Sequence, residues 1–120
     1  FAISMQTGKL IWQSIVGPFH GGDGSSILAI DGMIFHPIGV SEVPGTNVEM
    51  VALDAVDGSV KWKYRASGPL YNSMPCYADR KLVFSDGWGG AYCVHSDDGS
   101  EIWKSSEFKT DWVFSTGNAM

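Results

Sequence analysis

A glycine followed four residues later by a tryptophan occurs three times in the chain, as Gly8 and Trp12, Gly58 and Trp62, and Gly99 and Trp103. Aligned on these pairs, the sequence reads AISMQTGKLIW from Ala2, ALDAVDGSVKW from Ala52 and CVHSDDGSEIW from Cys93. Because the flanking residues recur too, this is an internal repeat, and a repeat constrains architecture before local propensity does. Each copy holds an extended apolar run and then a turn at Thr7-Gly8, Asp57-Gly58 or Asp98-Gly99, followed by a second run that ends in Trp. Glycine takes positive φ there without a Cβ clash, so each copy is the pattern of a β-hairpin.

The glycines lie 50 and 41 positions apart. Roughly 30 to 40 residues therefore separate successive hairpins, enough for a second hairpin in each interval. SSILAIDGMIF from Ser25 and MPCYADRKLVF from Met74 each read as strand, polar turn (Asp31-Gly32 or Asp79-Arg80) and strand. Phe35 and Phe84, 49 positions apart, are matched as equivalent residues. One repeat is then four strands in chain order: A at Leu28 or Cys76, B at Ile34 or Val83, C at Val51 or Cys93, and D carrying Trp62 or Trp103. A four-stranded antiparallel unit of this size cannot bury both faces alone. It stacks on copies of itself, and radial stacking gives a β-propeller of typically about 4 to 8 blades.

The recurring frame small-x-Asp-x-x-Thr-Gly-Lys-x-x-Trp resembles the tryptophan-docking motif of the pyrroloquinoline quinone (PQQ) repeat, found in quinoprotein alcohol dehydrogenase-like propellers. Ala2, Thr7, Gly8, Lys9 and Trp12 match it in the first copy, and Ala52, Asp54, Gly58 and Trp62 in the second. In the third, Cys93, His95 and Asp98 depart from it, leaving Gly99 and Trp103. The resemblance spans nearly the whole chain. It implies that each Trp packs on the small residue of its own motif and on the Gly peptide of the neighbouring blade. Ala2, Gly8, Trp12, Ala52, Gly58, Trp62, Cys93, Gly99 and Trp103 are then docking residues of the fold. WD-type and kelch-type propellers fit less well, because neither a Gly-His to Trp-Asp frame nor a paired Gly-Gly frame recurs. The expected fold is all-β, a partial propeller of about two and a half four-stranded antiparallel blades from an eight-bladed ring.

On this frame the chain is one incomplete propeller domain, with the end of a blade and a loop at 1–24, full blades at 25–64 and 71–105, and the start of a further blade at 106–120. A piece of a larger protein is expected, with the remaining blades of the same propeller as its first partners. Open blade faces are sticky, so the isolated chain is expected to be marginally stable or to associate. The sequence shows no charged-then-apolar leader and no apolar run of ~18 residues, and no membrane span is expected in this segment. A net charge of −5 with only 8 Lys and Arg argues against a nucleic-acid partner. Cys76 and Cys93 fall on strands A and C of one blade. Two strand spacings of about 4.8 Å hold them about 9.6 Å apart, beyond disulfide reach, so two free, buried thiols are expected.

Strand alternation sorts the connections onto two faces: the tight A–B and C–D turns at the bottom, the longer B–C and D–A segments at the top. The segment after Trp12, IVGPFHGGDGSS, carries His20, Asp23 and Ser25, and RASGPLYNS after Trp62 carries Arg65, Tyr71 and Asn72. SDGWGG, between strands B and C of the second blade, carries Asp86 and Trp88. Its counterpart HPIGVSEVPGTN, with His36, Glu42 and Asn47, is read as longer by eight or nine residues. An insertion on one face of a rigid scaffold suits specific binding, the alternative being a solvated excursion. His20, Asp23, Glu42, Asn47 and Asp86 are therefore the candidate binding-loop residues for a protein or small ligand, with Gly39 to Asn47 the segment of interest. Trp88 lies among Gly87, Gly89 and Gly90 where the first blade has Ile38 and Gly39. It either stacks on a planar ligand or covers the blade junction. His20 beside flexible Gly and an Asp suits a base or a ligand, or is a plain loop histidine, and no His-x-His or Cys-x-x-Cys spacing supports a metal. His95 is expected to face its turn.

Quinoprotein catalysis requires an Asp base, a calcium site of carboxylate and amide oxygens, and an Arg near the quinone, gathered from several blades. Under that resemblance Trp88 is the candidate floor for PQQ. The terminal VFSTGNAM resembles a calcium-ligating segment and makes Asn118 a candidate metal ligand. The repeat frame, however, puts Thr116 to Asn118 on strand A, whereas the family's segment lies on strand B. No catalytic residue is assigned. The family that the chain resembles includes many proteins that bind no quinone, some acting as assembly scaffolds in the bacterial envelope and others appended to larger enzymes. The resemblance thus implies an extracytoplasmic binding or scaffold module, with a fragment of a PQQ-dependent alcohol or sugar dehydrogenase, using PQQ and calcium, as the alternative.

Overall fold

The computed structural model describes residues 1–18, 27–70 and 72–105, with the backbone alone for 43–46. Among the described residues, ten strands form three antiparallel sheets. The first is a pair, β1 (Ala2–Ile3) with β2 (Leu10–Trp12). The second runs in sequence order through β3 (Leu28–Ile30), β4 (Met33–Val40), β5 (Val43–Asp54) and β6 (Val60–Arg65). The third repeats it with β7 (Cys76–Ala78), β8 (Lys81–Ser85), β9 (Ala91–His95) and β10 (Glu101–Ser105). These are strands A to D of two blades, preceded by strands C and D of another, in the arrangement of a β-propeller segment.

The turns show why these residues make meanders. Asp31 and Gly32 have φ of 49° and 74°, and Asp79 and Arg80 of 49° and 58°, so each two-residue A–B turn has positive φ at both centres, the twist that matches paired strands. The C–D turns are wired identically three times. Gly8, Gly58 and Gly99 sit at φ of 67°, 74° and 72° and donate their N–H groups to the carbonyls of Ser4, Asp54 and His95. His95 thus closes its turn through its backbone where Asp54 also uses its carboxylate, whose Oδ1 accepts the Val56 N–H at 2.8 Å.

Register corrects two sequence expectations. Phe35 pairs with Ala52 and Ala52 with Trp62, whereas it is Val83 that pairs with Cys93 and Cys93 with Trp103. The counterpart of Phe35 is therefore Val83, and Phe84 points to the opposite face, because one position along a strand reverses the side chain. The insertion is consequently seven residues long, since 17 positions separate Phe35 from Ala52 and 10 separate Val83 from Cys93. Nor is it a loop: β4 and β5 continue pairing through it, with bulges around Gly39, to a tip at Ser41 and Glu42. On the same register Val40, rather than Ile38 or Gly39, stands at the place of Trp88.

The core lies between blades rather than within one. Phe35, Met50, Ala52 and Trp62 on the leading face of the first blade pack against Leu82, Phe84, Tyr92 and Val94 on the trailing face of the second. Phe35 to Trp62, Tyr64 to Phe84 and Tyr64 to Tyr92 place ring centroids 5.8, 5.7 and 5.6 Å apart. A smaller cluster of Ile38, Val51 and Leu53 joins the first blade to Trp12 and Val16. Cys76 is half-buried, Cys93 is buried, and both are free thiols, with β8 between their strands. Burial pushes the pKa of each above the usual thiol value.

Candidate functional site

The bottom of each junction is closed by a tryptophan. Trp12 lies over Gly58, where a Cβ would come 2.8 Å from its Cδ2, and its Nε1–H donates to the Ala55 carbonyl at 3.0 Å. Trp62 repeats this on Gly99, at 2.7 Å from Cδ2, and donates to the Ser96 carbonyl at 2.7 Å. Within its own blade each indole stands beside the small residue opposite it, since Ala2 pairs with Trp12, Ala52 with Trp62 and Cys93 with Trp103. Trp103 is 44% exposed.

A second tie, at the top, was missed in the sequence. The Pro18 carbonyl accepts the Gly39 N–H at 2.8 Å, and the Pro69 carbonyl accepts the Gly87 N–H at 2.7 Å. Both prolines follow a glycine that lies close to the next blade. A Cβ on Gly17 would meet the Gly39 oxygen at 3.1 Å, and one on Gly68 would meet Asp86 Cγ at 2.8 Å. The signal was present as a recurring Gly-Pro pair, Gly17-Pro18 and Gly68-Pro69, 51 positions apart. It is a blade-to-blade clasp at the end opposite the tryptophans.

Around the second clasp sits the most elaborate polar group of the top face. Asp86 is 3% exposed, and its Oδ1 accepts the N–H groups of Trp88 and Gly90 at 2.9 and 2.8 Å. The Tyr92 hydroxyl donates to Asp86 Oδ2 at 2.5 Å and accepts the Ser67 N–H at 2.9 Å. Burial, reinforced by the Asp86 carboxylate, holds the Tyr92 phenol above its ordinary pKa. Lys104 donates to Ser67 Oγ at 2.6 Å, with its Nζ 5.6 Å from the centre of the Tyr92 ring. These bonds fasten loop 86–90 to itself and to Tyr92 of β9, and fasten β9 and β10 to Ser67 in the 66–70 loop of the preceding blade. The Asp86 carboxylate is thereby taken up by the scaffold, and what the loop presents outward is Trp88. Its indole lies against Gly68, where a Cβ would come 3.0 Å from Cδ2, and the residue is 50% exposed.

The other candidates are dispersed. Glu42 is exposed at the hairpin tip, whereas Asn47 is fully buried on β5 with its carbonyl accepting the Leu70 N–H at 2.7 Å. His20, Asp23, Tyr71 and Asn118 lie outside the described residues. Among the described residues no three His, Cys, Asp or Glu side chains converge on a point where a metal ion would bind, and no helix is long and apolar enough to cross a membrane. The carboxylate of Asp86, beside Trp88, is committed to two backbone N–H groups and a tyrosine hydroxyl.

Stacked four-stranded meanders, joined by a Trp on the next blade's Gly, define the class as a PQQ-repeat β-propeller. A family model described as outer membrane protein assembly factor BamB matches residues 1–117, and the chain belongs to this family. Among solved structures it is similar to BamB from Moraxella catarrhalis, with a TM-score of 0.61 and 14% identity, covering 82% of this chain and 28% of that one. It is also similar to a europium-containing methanol dehydrogenase, with a TM-score of 0.52 and 19% identity, covering 67% of this chain and 14% of that one. The chain thus spans less than a third of either structure, and at these identities the likeness shows the fold. No curated protein sequence matches it.

Proposed function

We propose that this chain is part of an extracytoplasmic, non-catalytic propeller that binds a partner protein through its top-face loops. Trp88 carries the reading. A half-exposed indole, backed by a glycine and held on a loop whose polar groups are already bonded, is an aromatic anchor that loses little conformational freedom on binding. The matching family's description as an assembly factor supports a protein partner, and the exposed Lys104, whose ammonium reaches Ser67 in the loop behind Trp88, supplies a polar neighbour. The competing reading, part of a PQQ-dependent dehydrogenase, draws its support from the methanol dehydrogenase likeness.

The two separate experimentally. A photo-crosslinking residue at position 88 of the protein in its native envelope is expected to trap a discrete protein, and Trp88→Ala is expected to weaken that complex by about 2 kcal/mol or more, beyond any fall in its own melting midpoint from lost packing on Gly68. Quinone absorbance and dye reduction after loading with PQQ and calcium, or partner binding indifferent to Trp88→Ala, would overturn the proposal.

A further inference from the structure

In both four-stranded blades a lysine follows the motif tryptophan, and the two lysines make equivalent contacts. Lys63, after Trp62, donates to the Val16 carbonyl at 2.7 Å. Lys104, after Trp103, donates to the Ser67 hydroxyl at 2.6 Å. Val16 and Ser67 each stand immediately before a Gly-Pro pair, Gly17-Pro18 or Gly68-Pro69. Each lysine therefore reaches back across a junction to the loop that bears the top clasp.

The two differ in charge compensation. Lys63 is paired with Val51, and Glu49, two positions before Val51 on the same face of β5, brings a carboxylate oxygen to 3.9 Å from its ammonium. Lys104 is paired with Tyr92, and two positions before Tyr92 stands Gly90. Among the described residues no carboxylate lies within 4 Å of the Lys104 ammonium. The acids on the neighbouring strands and loop are engaged elsewhere, Asp86 with two N–H groups and Tyr92, and Glu101 with the Tyr64 hydroxyl. An acid at position 90 is sterically excluded, since a Cβ there would come 2.5 Å from Asp86 Oδ2 and 2.8 Å from the Tyr92 hydroxyl. The network that fixes the Trp88 loop thus denies Lys104 the counter-charge that Lys63 has.

Lys104 and Trp88 belong to one surface, at a junction whose two sides are both described. The indole lies on Gly68, and Ser67, next to Gly68, holds the ammonium. Lys104 is exposed, and of its three donors Ser67 takes one, while the Tyr92 ring, 5.6 Å from Nζ, offers only its π face. We infer that Lys104 and the Ser67 hydroxyl receive a carboxylate of the partner, so that the segment docked on Trp88 is acidic, an Asp or Glu beside the apolar residue that covers the indole. This rests on Trp88 being the partner's anchor. The carboxylate accepts a charge-assisted bond from Lys104 and the proton of the Ser67 hydroxyl, whose oxygen already accepts from Lys104. The chain carries a net charge of −5, so attraction of an acidic segment has to be local, and Lys104 supplies it beside the indole. An ion pair at the rim of an anchor acts more on encounter rate and partner choice than on raw affinity.

The test uses the protein in its native envelope and has two arms. A photo-crosslinking residue at position 88 captures the partner and tests the anchor itself. A carbodiimide, which joins an amine to a carboxylate in direct contact, is expected to couple Lys104 to an Asp or Glu of that same partner, read by mass spectrometry of the joined peptides. With the purified pair, Lys104→Met keeps an apolar stem over Tyr92 and removes the charge. It is expected to weaken binding about fivefold at low salt, chiefly through slower association, and to flatten the salt dependence. Lys104→Arg restores the charge and is expected to stay close to the wild type in both respects. The salt dependence of binding is a readout that a packing role for Lys104 would leave unmoved. A partner captured at position 88 but not coupled to Lys104, or Lys104→Met binding with wild-type affinity and salt dependence, would overturn this inference and leave the Trp88 anchor standing. Capture of no partner at position 88 would overturn the anchor and this inference with it.

Discussion

The two described junctions share their clasps and differ in their filling. Trp12 on Gly58 and Trp62 on Gly99 are the same contact, and Pro18 to Gly39 and Pro69 to Gly87 are the same hydrogen bond at the other end. Between those fixed points the first junction buries Ile38, Val51 and Leu53, while the second buries ten residues, including Phe35, Trp62, Phe84 and Tyr92. Among the described residues the second is also crossed by Tyr64 donating to Glu101 at 2.5 Å and Tyr77 donating to Asp31 at 2.6 Å, whereas the first is crossed by Lys63 donating to the Val16 carbonyl at 2.7 Å. Clasps at the two ends set how blades are spaced and oriented, and the side chains between them set how strongly they cohere. Stability should therefore respond unequally to identical substitutions in the two junctions.

The largest inequality is expected at the tryptophans. Trp62 is 7% exposed within the aromatic cluster, so Trp62→Ala is expected to cost about 3 to 5 kcal/mol through lost burial and the cavity left behind. Trp12 is only half-buried, and Trp12→Ala is expected to cost about 2 kcal/mol. Denaturant midpoints of the two variants measure the difference. Equal losses would mean that the clasp itself, and not its surroundings, carries the cohesion.

Glycine substitutions rank next and separate crowding from backbone strain. At Gly99 an alanine Cβ would lie 2.7 Å from Trp62 Cδ2, and at Gly58 it would come closer still to Trp12 Cε3. Each also carries the penalty of positive φ, so losses of about 2 to 4 kcal/mol are expected, larger at Gly99, where the surrounding core cannot yield. Gly32 has φ of 74° but open space around its Cβ, and Gly32→Ala is expected to cost only about 1 kcal/mol.

The part of this design legible in the sequence was whatever repeats with its neighbours intact. Three Gly-Trp hairpins gave strands, turn positions and the stacking of blades, because turn glycines and blade-spanning tryptophans tolerate few substitutes. Register across the insertion was not legible. Two phenylalanines at nearly the right spacing, Phe35 and Phe84, invited a match, yet the face of a strand is set by parity, and Phe84 belongs with Tyr92 on the trailing side. The site was legible only as composition. Trp88 among glycines marked the loop, but nothing in the sequence said that Asp86 would bond to its own loop and to Tyr92, or that Asn47 would be buried on an extended strand. Those outcomes depend on which loop of one blade lies over which loop of the next, a long-range fact that the two Gly-Pro pairs carry and that single residues do not.

The top clasp gives a smaller expected effect with a distinct readout. Gly68→Ala would push against Asp86 at 2.8 Å and the Trp88 ring at 3.0 Å. A loss of about 1 to 3 kcal/mol is expected, accompanied by a shift of Trp88 emission, since the wall behind the indole is displaced. Gly17→Ala meets Gly39 and Ile38 at 3.1 and 3.3 Å and is expected to cost less, below about 1 kcal/mol. A Gly68→Ala protein with unaltered Trp88 emission would show that the indole is not held by this contact.

Effects of similar small size are expected at the tyrosines that cross the second junction, and these depend on pH. Burial first, and then the hydrogen bond to Glu101, raise the pKa of Tyr64 well above the ordinary phenol value; the bond to Asp31 raises that of Tyr77, with burial adding to it. In the unfolded chain these phenols ionise near pH 10, whereas in the folded chain they hold their protons longer. Their contribution to stability is therefore complete below about pH 10 and is lost as pH rises through the raised folded values. Tyr64→Phe is expected to cost about 1 kcal/mol at neutral pH, from one hydrogen bond. It should also flatten the decline in stability above about pH 10, because one proton fewer is released on unfolding. Melting midpoints of wild type and Tyr64→Phe across the alkaline range decide this, and parallel curves would show that Tyr64 is not held neutral at the blade junction.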